Sequence, residues 1–280
     1  MQKPLIVKLS GGGQSNLSFI TALFRRIRSC NNRGFTLAEV LITISIIGIV
    51  VALTIPGLVA KYQKQVTMTK VYKFYSMINQ AVRIATIEHG EPDVWIYPGG
   101  IEMGNNTTIT VNYKNNLEFV NKYFRPYIKV LSCENWKLGT SAQDAAAIMC
   151  HFPSGDAIVL GVYQGGASGI NNISVDIYYI SDFKRSQLTS GKYLTDPRRV
   201  FYFSMQKESD NGTEKDHIAN TNVKNKNFVV PYVLNWDGTI EGLTKRGTKY
   251  SCSSGYTFYP AYCTKLLELN NWKVPDEYPW

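Results

Sequence analysis

From Val40 to Ala60 the chain runs for 21 residues without a charge, VLITISIIGIVVALTIPGLVA. At about 1.5 Å rise per residue this is roughly 32 Å of helix, the thickness of a bilayer's hydrocarbon core. The run is rich in Ile, Val and Leu, and no polar residue breaks it at the period of a helix or a strand. A soluble amphipathic helix therefore describes it poorly. No second such run occurs in the 280 residues, so a single crossing is expected. The remaining composition, 44% hydrophobic and 18% charged, excludes a disordered or collagen-like chain. A mean hydropathy of −0.16 argues against a polytopic membrane protein.

Charge is unevenly placed around this run. Residues 1–34 contain Lys3, Lys8, Arg25, Arg26, Arg28 and Arg33, and no acidic residue. Basic residues before an apolar run keep that side in the cytoplasm, which makes everything after Lys61 an exported segment. A net charge of +9 would ordinarily raise nucleic acid as a partner. Without residues 1–34 the +9 falls by six to +3, so the basic balance reads as an orientation signal and nucleic acid is not expected as a partner.

Two residues are unusual for a simple signal peptide or anchor. Glu39 stands at the start of the apolar run, where a carboxylate costs up to about 3 kcal/mol at the bilayer centre and less near its edge. Such a group needs a partner. Pro56 lies inside the run, removes one backbone donor, and is expected to bend or locally melt the helix. A small-residue cleavage site at the far end is weak: cutting after Ala60 places Leu58 where a small residue belongs, and the alternative after Ala52 places Val50 there.

Gly34-Phe35-Thr36-Leu37-Ala38-Glu39, preceded by the basic stretch and followed by the apolar run, resembles the class III signal of type IV pilins and type II secretion pseudopilins. The resemblance covers roughly residues 33–90 and includes a proline at the family's position, Pro56. It implies cleavage between Gly34 and Phe35 by a prepilin peptidase, which also acts as methyltransferase on the new Phe35 amine. It further implies that Glu39 pairs with the Phe35 amine of a neighbouring subunit in a filament, the partner that the carboxylate requires. Pro56 would take part in assembly by bending or losing helix as subunits leave the membrane. A leader of 34 residues is long for this family.

The helix is expected to continue beyond the membrane. Met68, Val71, Tyr75, Ile78, Val82 and Ala85 step by three or four, while Lys70, Lys73, Asn79, Gln80 and Arg83 fall mostly elsewhere. Gly90 and Pro92 end it, so a helix from Phe35 would be about 80 Å long. From about Asp93 the texture changes to short alternating runs. Residues 157–163, 173–180 and 200–203 read as strands, as do 228–234 apart from Pro231. Asp237-Gly238 reads as a hairpin turn, and Leu117 to Val130 as a short helix limited by Pro126. The expected fold is α+β, a long N-terminal helix packed on an antiparallel sheet, as in type IV pilins. The expected divisions are a leader at 1–34, a helical stem at 35–90 with its membrane segment at 40–60, and an exported head at 91–280.

The leader also takes one cysteine, Cys30, and leaves Cys133, Cys150, Cys252 and Cys263 for an oxidising compartment. Four cysteines allow three pairings. The local one, Cys133–Cys150 with Cys252–Cys263, closes two short loops worth about 2–4 kcal/mol each. Zinc is the competing use, but the spacings are long and contain no Cys-x-x-Cys. The aromatic tail through Trp272, Tyr278 and Trp280 suggests docking rather than fraying.

Signals for catalysis are thin. His89, His151 and His217 are scattered, and neither Ser154-Gly155-Asp156 nor Gly165 to Gly169 forms a nucleophile elbow or a phosphate loop. Asp176, Asp182 and Asp196 lie where some pseudopilins carry calcium, but without the Gly/Asn-rich ligand run of that family. No cofactor, no metal and no enzymatic activity are expected. Asn106 and Asn172 open glycosylation-like triplets, a pattern common by chance. The leading expectation is a structural subunit of a pilus or secretion filament, homomeric or heteromeric, with the inner-membrane assembly platform and other pilin subunits as partners. The alternative is a binding module, an adhesin or DNA-uptake tip, carried on the same stem.

Overall fold

The structure, a computed structural model, describes residues 34–98, 113–138, 146–165, 172–183, 194–206, 228–233, 236–255 and 259–280. The first helix, α1 (Leu37–His89), is 53 residues long. It opens on a capping box: Thr36 Oγ1 accepts from Glu39 N at 3.2 Å, and Glu39 Oε2 accepts from Thr36 N at 2.8 Å. It closes at Gly90, whose φ of +79° and bond from its N–H to Thr86 O form a left-handed cap. Helical geometry continues through Pro56, so of the two outcomes expected there, a bend or local melting, melting does not occur. One missing donor removes one rung, and the rungs on either side hold the helix.

Residue contacts divide the chain into two units whose boundary, between Leu58 and Val59, falls inside α1. In the first unit every described residue is exposed, from Gly34 to Leu58. The second contains the rest of α1 and a six-stranded sheet. Its strands are β1 (Ser132–Lys137), β2 (Ala146–His151), β3 (Ala157–Gly165), β4 (Asn172–Ile180), β5 (Val200–Gln206) and β6 (Val230–Pro231). They lie side by side in chain order, each antiparallel to the next. A short helix α2 (Tyr113–Tyr123) precedes the sheet, and α3 (Ile240–Thr244) and α4 (Cys263–Leu269) follow it.

Side chains alternate across a strand, so the two faces of the sheet can be read from β4 and β5. Tyr179 and Phe203 lie on the face that α1 covers: Phe74 stacks on Tyr179 with ring centres 4.2 Å apart and meets Phe203 at 5.5 Å. Tyr178 and Tyr202 oppose each other on the other face, 5.3 Å apart. Tyr259 stacks on Tyr202 there, and Tyr232 and Tyr250 pack beside it. Both faces are therefore covered. In β2, residues Ala146 to Cys150 are all buried, leaving no polar alternation to mark the strand.

Several local expectations need correction. Asp237-Gly238 makes no hairpin: Asp237 Oδ1 accepts from Thr239 N at 2.9 Å and from Thr239 Oγ1 at 2.8 Å, and Thr239 caps α3 by accepting from Gly242 N. The Asp thus closes a turn that feeds a helix, which Asp-Gly serves equally well. The helix expected over 117–130 is α2, which starts at Tyr113 and gives way to a 3₁₀ turn at Arg125–Tyr127, around Pro126. Of the strand expected at 228–234, β6 retains two of the described residues, and Leu234 lies outside them. Asn79, placed on the polar side by its type, is buried in the core.

Candidate functional site

The N-terminal junction is built from a few residues. Gly34 and Phe35 are exposed, Phe35 at 85%. Thr36 Oγ1 donates to Glu39 Oε2 at 2.8 Å while accepting from Glu39 N, so one side chain of the box both gives and receives. The Thr36-x-x-Glu39 spacing is a helix-start signature legible in the sequence, and it gives Glu39 an uncharged intrachain partner. Beyond Glu39, the apolar side chains Val40, Leu41, Ile42, Ile44, Ile46, Ile47, Ile49 and Leu53 are 45–78% exposed, and none is buried. Among the described residues α1 is the one helix long and apolar enough to cross a membrane, and its apolar window has no buried residue. Thr43, Ser45 and Thr54 hide their hydroxyls by donating to the carbonyls of Val40, Leu41 and Val50. That arrangement suits an apolar surrounding. Pro56 is exposed within the same stretch.

The second half of α1 is fixed to the sheet by polar contacts set among apolar ones. Lys70 Nζ donates to Asp156 Oδ1 at 2.8 Å and to Ser181 O at 2.9 Å. The second oxygen of Asp156 accepts from Ser154 Oγ and from Tyr179 OH, both at 2.9 Å. Burial and the Asp156 carboxylate together push the Tyr179 hydroxyl far above its ordinary pKa, which keeps it a donor. Ser154-Gly155-Asp156 is thus a structural turn that receives the helix. Higher on α1, Asn79 Nδ2 donates to Val229 O at 3.0 Å and Asn79 Oδ1 accepts from Val229 N at 3.0 Å. The side-chain amide acts as a strand partner for the chain just before β6. At the end of α1, Tyr127 OH donates to Glu88 at 2.6 Å and lies 3.0 Å from His89 Nε2.

Cys133 is bonded to Cys150, and the two are directly opposed across β1 and β2. Cys252 is bonded to Cys263, which ties the segment after α3 to the start of α4. The three aspartates singled out for calcium occupy different settings. Asp176 lies within β4, where burial pushes its carboxyl up to about 7 against the pull of Tyr178 OH, 3.4 Å away. Asp182 is exposed, and Asp196 binds the Arg198 guanidinium at 3.0 Å. Among the described residues no three His, Cys, Asp or Glu side chains form a metal-binding group. His151 pairs with Glu134 at 3.1 Å and its ring meets Phe183. Cys30, Asn106, Gly166 to Gly169 and His217 lie outside the described residues, and so does the side chain of Asn172.

Comparison with known families assigns both ends of this arrangement. Residues 29–55 match the model of the prokaryotic N-terminal methylation motif, so the chain carries the type IV pilin and pseudopilin signal, and with its apolar N-terminal helix it is a pilin-like, membrane-anchored protein. Residues 57–280 match the model of a family of unknown function, DUF6613, and the chain belongs to that family. No curated protein and no solved structure matches it.

Proposed function

We propose that this protein is a structural subunit of a type IV pilus or type II secretion filament. In this reading prepilin peptidase cuts between Gly34 and Phe35, and Phe35 is then N-methylated. The observation that carries the proposal is the apolar half of α1, most of which lies within the methylation motif and none of which is buried among the described residues. Such a surface needs lipid first and other copies of itself, or of related subunits, later. The inner-membrane assembly platform would transfer it from one to the other. Glu39 then exchanges its Thr36 contacts for the Phe35 amine of a neighbouring subunit, a charge-assisted pair in place of neutral donors.

Replacing Gly34 by a bulky residue tests the processing step. In cells containing the peptidase, the variant should keep the mass of the uncut chain while the wild type loses the leader; equal masses would overturn the reading. Glu39→Ala should be cut normally yet give few subunits in sheared filaments, and a normal yield would remove the Glu39 pairing.

A further inference from the structure

The exposed part of α1 ends close to where the uncharged run ends. The run stops at Ala60, Lys61 and Tyr62 follow, and every residue through Gln63 is exposed. Lys64 is the first residue of α1 that the rest of the chain covers. What meets it is Trp280, whose ring lies 5.5 Å from Lys64 Nζ. From Ala60 to Lys64 the helix rises about 6 Å. The polar layer outside a hydrocarbon core is itself about 5–8 Å thick on each side. Trp280 is half-buried and packs against the core, with Tyr278 fixed behind it by a hydroxyl bond to Pro197 O. Tyr62, 65% exposed, stands one turn or less from Lys64 on the same helix.

We infer that Trp280, with Tyr62, docks into the phospholipid headgroup layer on the side of the membrane where the sheet lies, and sets how deep the anchored subunit stands. The inference rests on the membrane-anchored reading of α1. Trp and Tyr favour this layer because their rings are apolar at one end and hydrogen-bonding at the other. The neighbouring charges are mixed, Lys61, Lys64 and Lys273 against Asp276 and Glu277. Recognition therefore runs through the rings rather than through a polybasic patch, and it should withstand salt and neutral lipid.

The full chain in phosphatidylcholine vesicles tests this, with a nitroxide carried either on the headgroup or deep in the acyl chain. The emission lost on Trp280→Phe is the Trp280 component. It should be quenched more by the headgroup nitroxide than by the deep one, at low and at high salt. Should the variant fold poorly, 5-fluorotryptophan in the unaltered chain reports the same through broadening of one of its five resonances. A chain that floats with the vesicles while its Trp280 component escapes the headgroup nitroxide overturns the inference and leaves the anchor standing. A chain that does not float overturns the anchor itself. Protection from both nitroxides together with crosslinking at position 280 assigns the surface to a second copy and also overturns the inference.

Discussion

Residues 37–63 and 64–89 belong to one helix, yet the first part is exposed throughout and the second buries Met68, Val71, Phe74, Ile78 and Val82. Backbone geometry is the same in both. The difference lies in how apolar residues are distributed around the axis. In the second part they form a stripe that one sheet face can cover, and Lys73 and Arg83 lie exposed off it. In the first part they surround the axis, and no single face of a sheet could cover them. A helix apolar all round is stable only in lipid or within a bundle, so the first part depends on its surroundings while the second is complete.

Separating the two parts should produce the largest effect. A chain begun at Lys61 and folded under oxidising conditions should stay in solution without detergent and unfold cooperatively, whereas the full chain should require detergent or vesicles. Aggregation of the shortened chain would mean that the second part is not complete. Next in size is the Lys70–Asp156 contact. Asp156→Ala strands a partly buried ammonium and two hydroxyl donors, and should lower the stability of the sheet-bearing unit by about 3 kcal/mol in denaturant titration. Asn79→Ala leaves the Val229 N–H and C=O without their partners and should cost about 2 kcal/mol by the same measurement.

A smaller effect concerns the sheet face that α1 does not cover. The folded Asp176 carboxyl keeps its proton to about pH 7, and the unfolded one to about 3.8. Between those values the folded state binds more protons, so stability contributed by protonated Asp176 is lost as pH rises through the window. Asp176→Asn should flatten that slope and gain about 1–2 kcal/mol at pH 8, with little change at pH 4. A loss at pH 8 would show that the ionised carboxylate has a use. The smallest effect should be at the helix start, where Thr36→Ala removes the capping box and frays the first turn for about 1 kcal/mol or less. Faster amide exchange at Leu37 to Val40, with none beyond, would measure it.

Legibility followed the physics of each part. The apolar run, the stripe from Met68 to Ala85 and the Gly90 stop could be read because each depends on neighbours in sequence. Strands β3, β4 and β5 were visible from β-branched and aromatic runs. Strand β2 was hidden because both its faces are buried, and β1 because it is a polar edge. Asn79 and Asp156 resisted reading for another reason: a polar residue enters a core only when its partners arrive from distant parts of the chain. Their partners lie 150 and 86 residues away, on segments that only the folded sheet brings together.

The sequence by itself determined the apolar run, the N-terminal signal and the stripe of α1 from Met68 to Ala85, since hydrophobic length, charge asymmetry and helical period are local quantities. Tertiary structure alone decided which cysteines meet, which carboxylate receives Lys70, and that the final tryptophan comes to rest beside Lys64, four residues past the end of the apolar run. Those outcomes require chain closure over long separations, where packing and register select one partner among many that composition would allow.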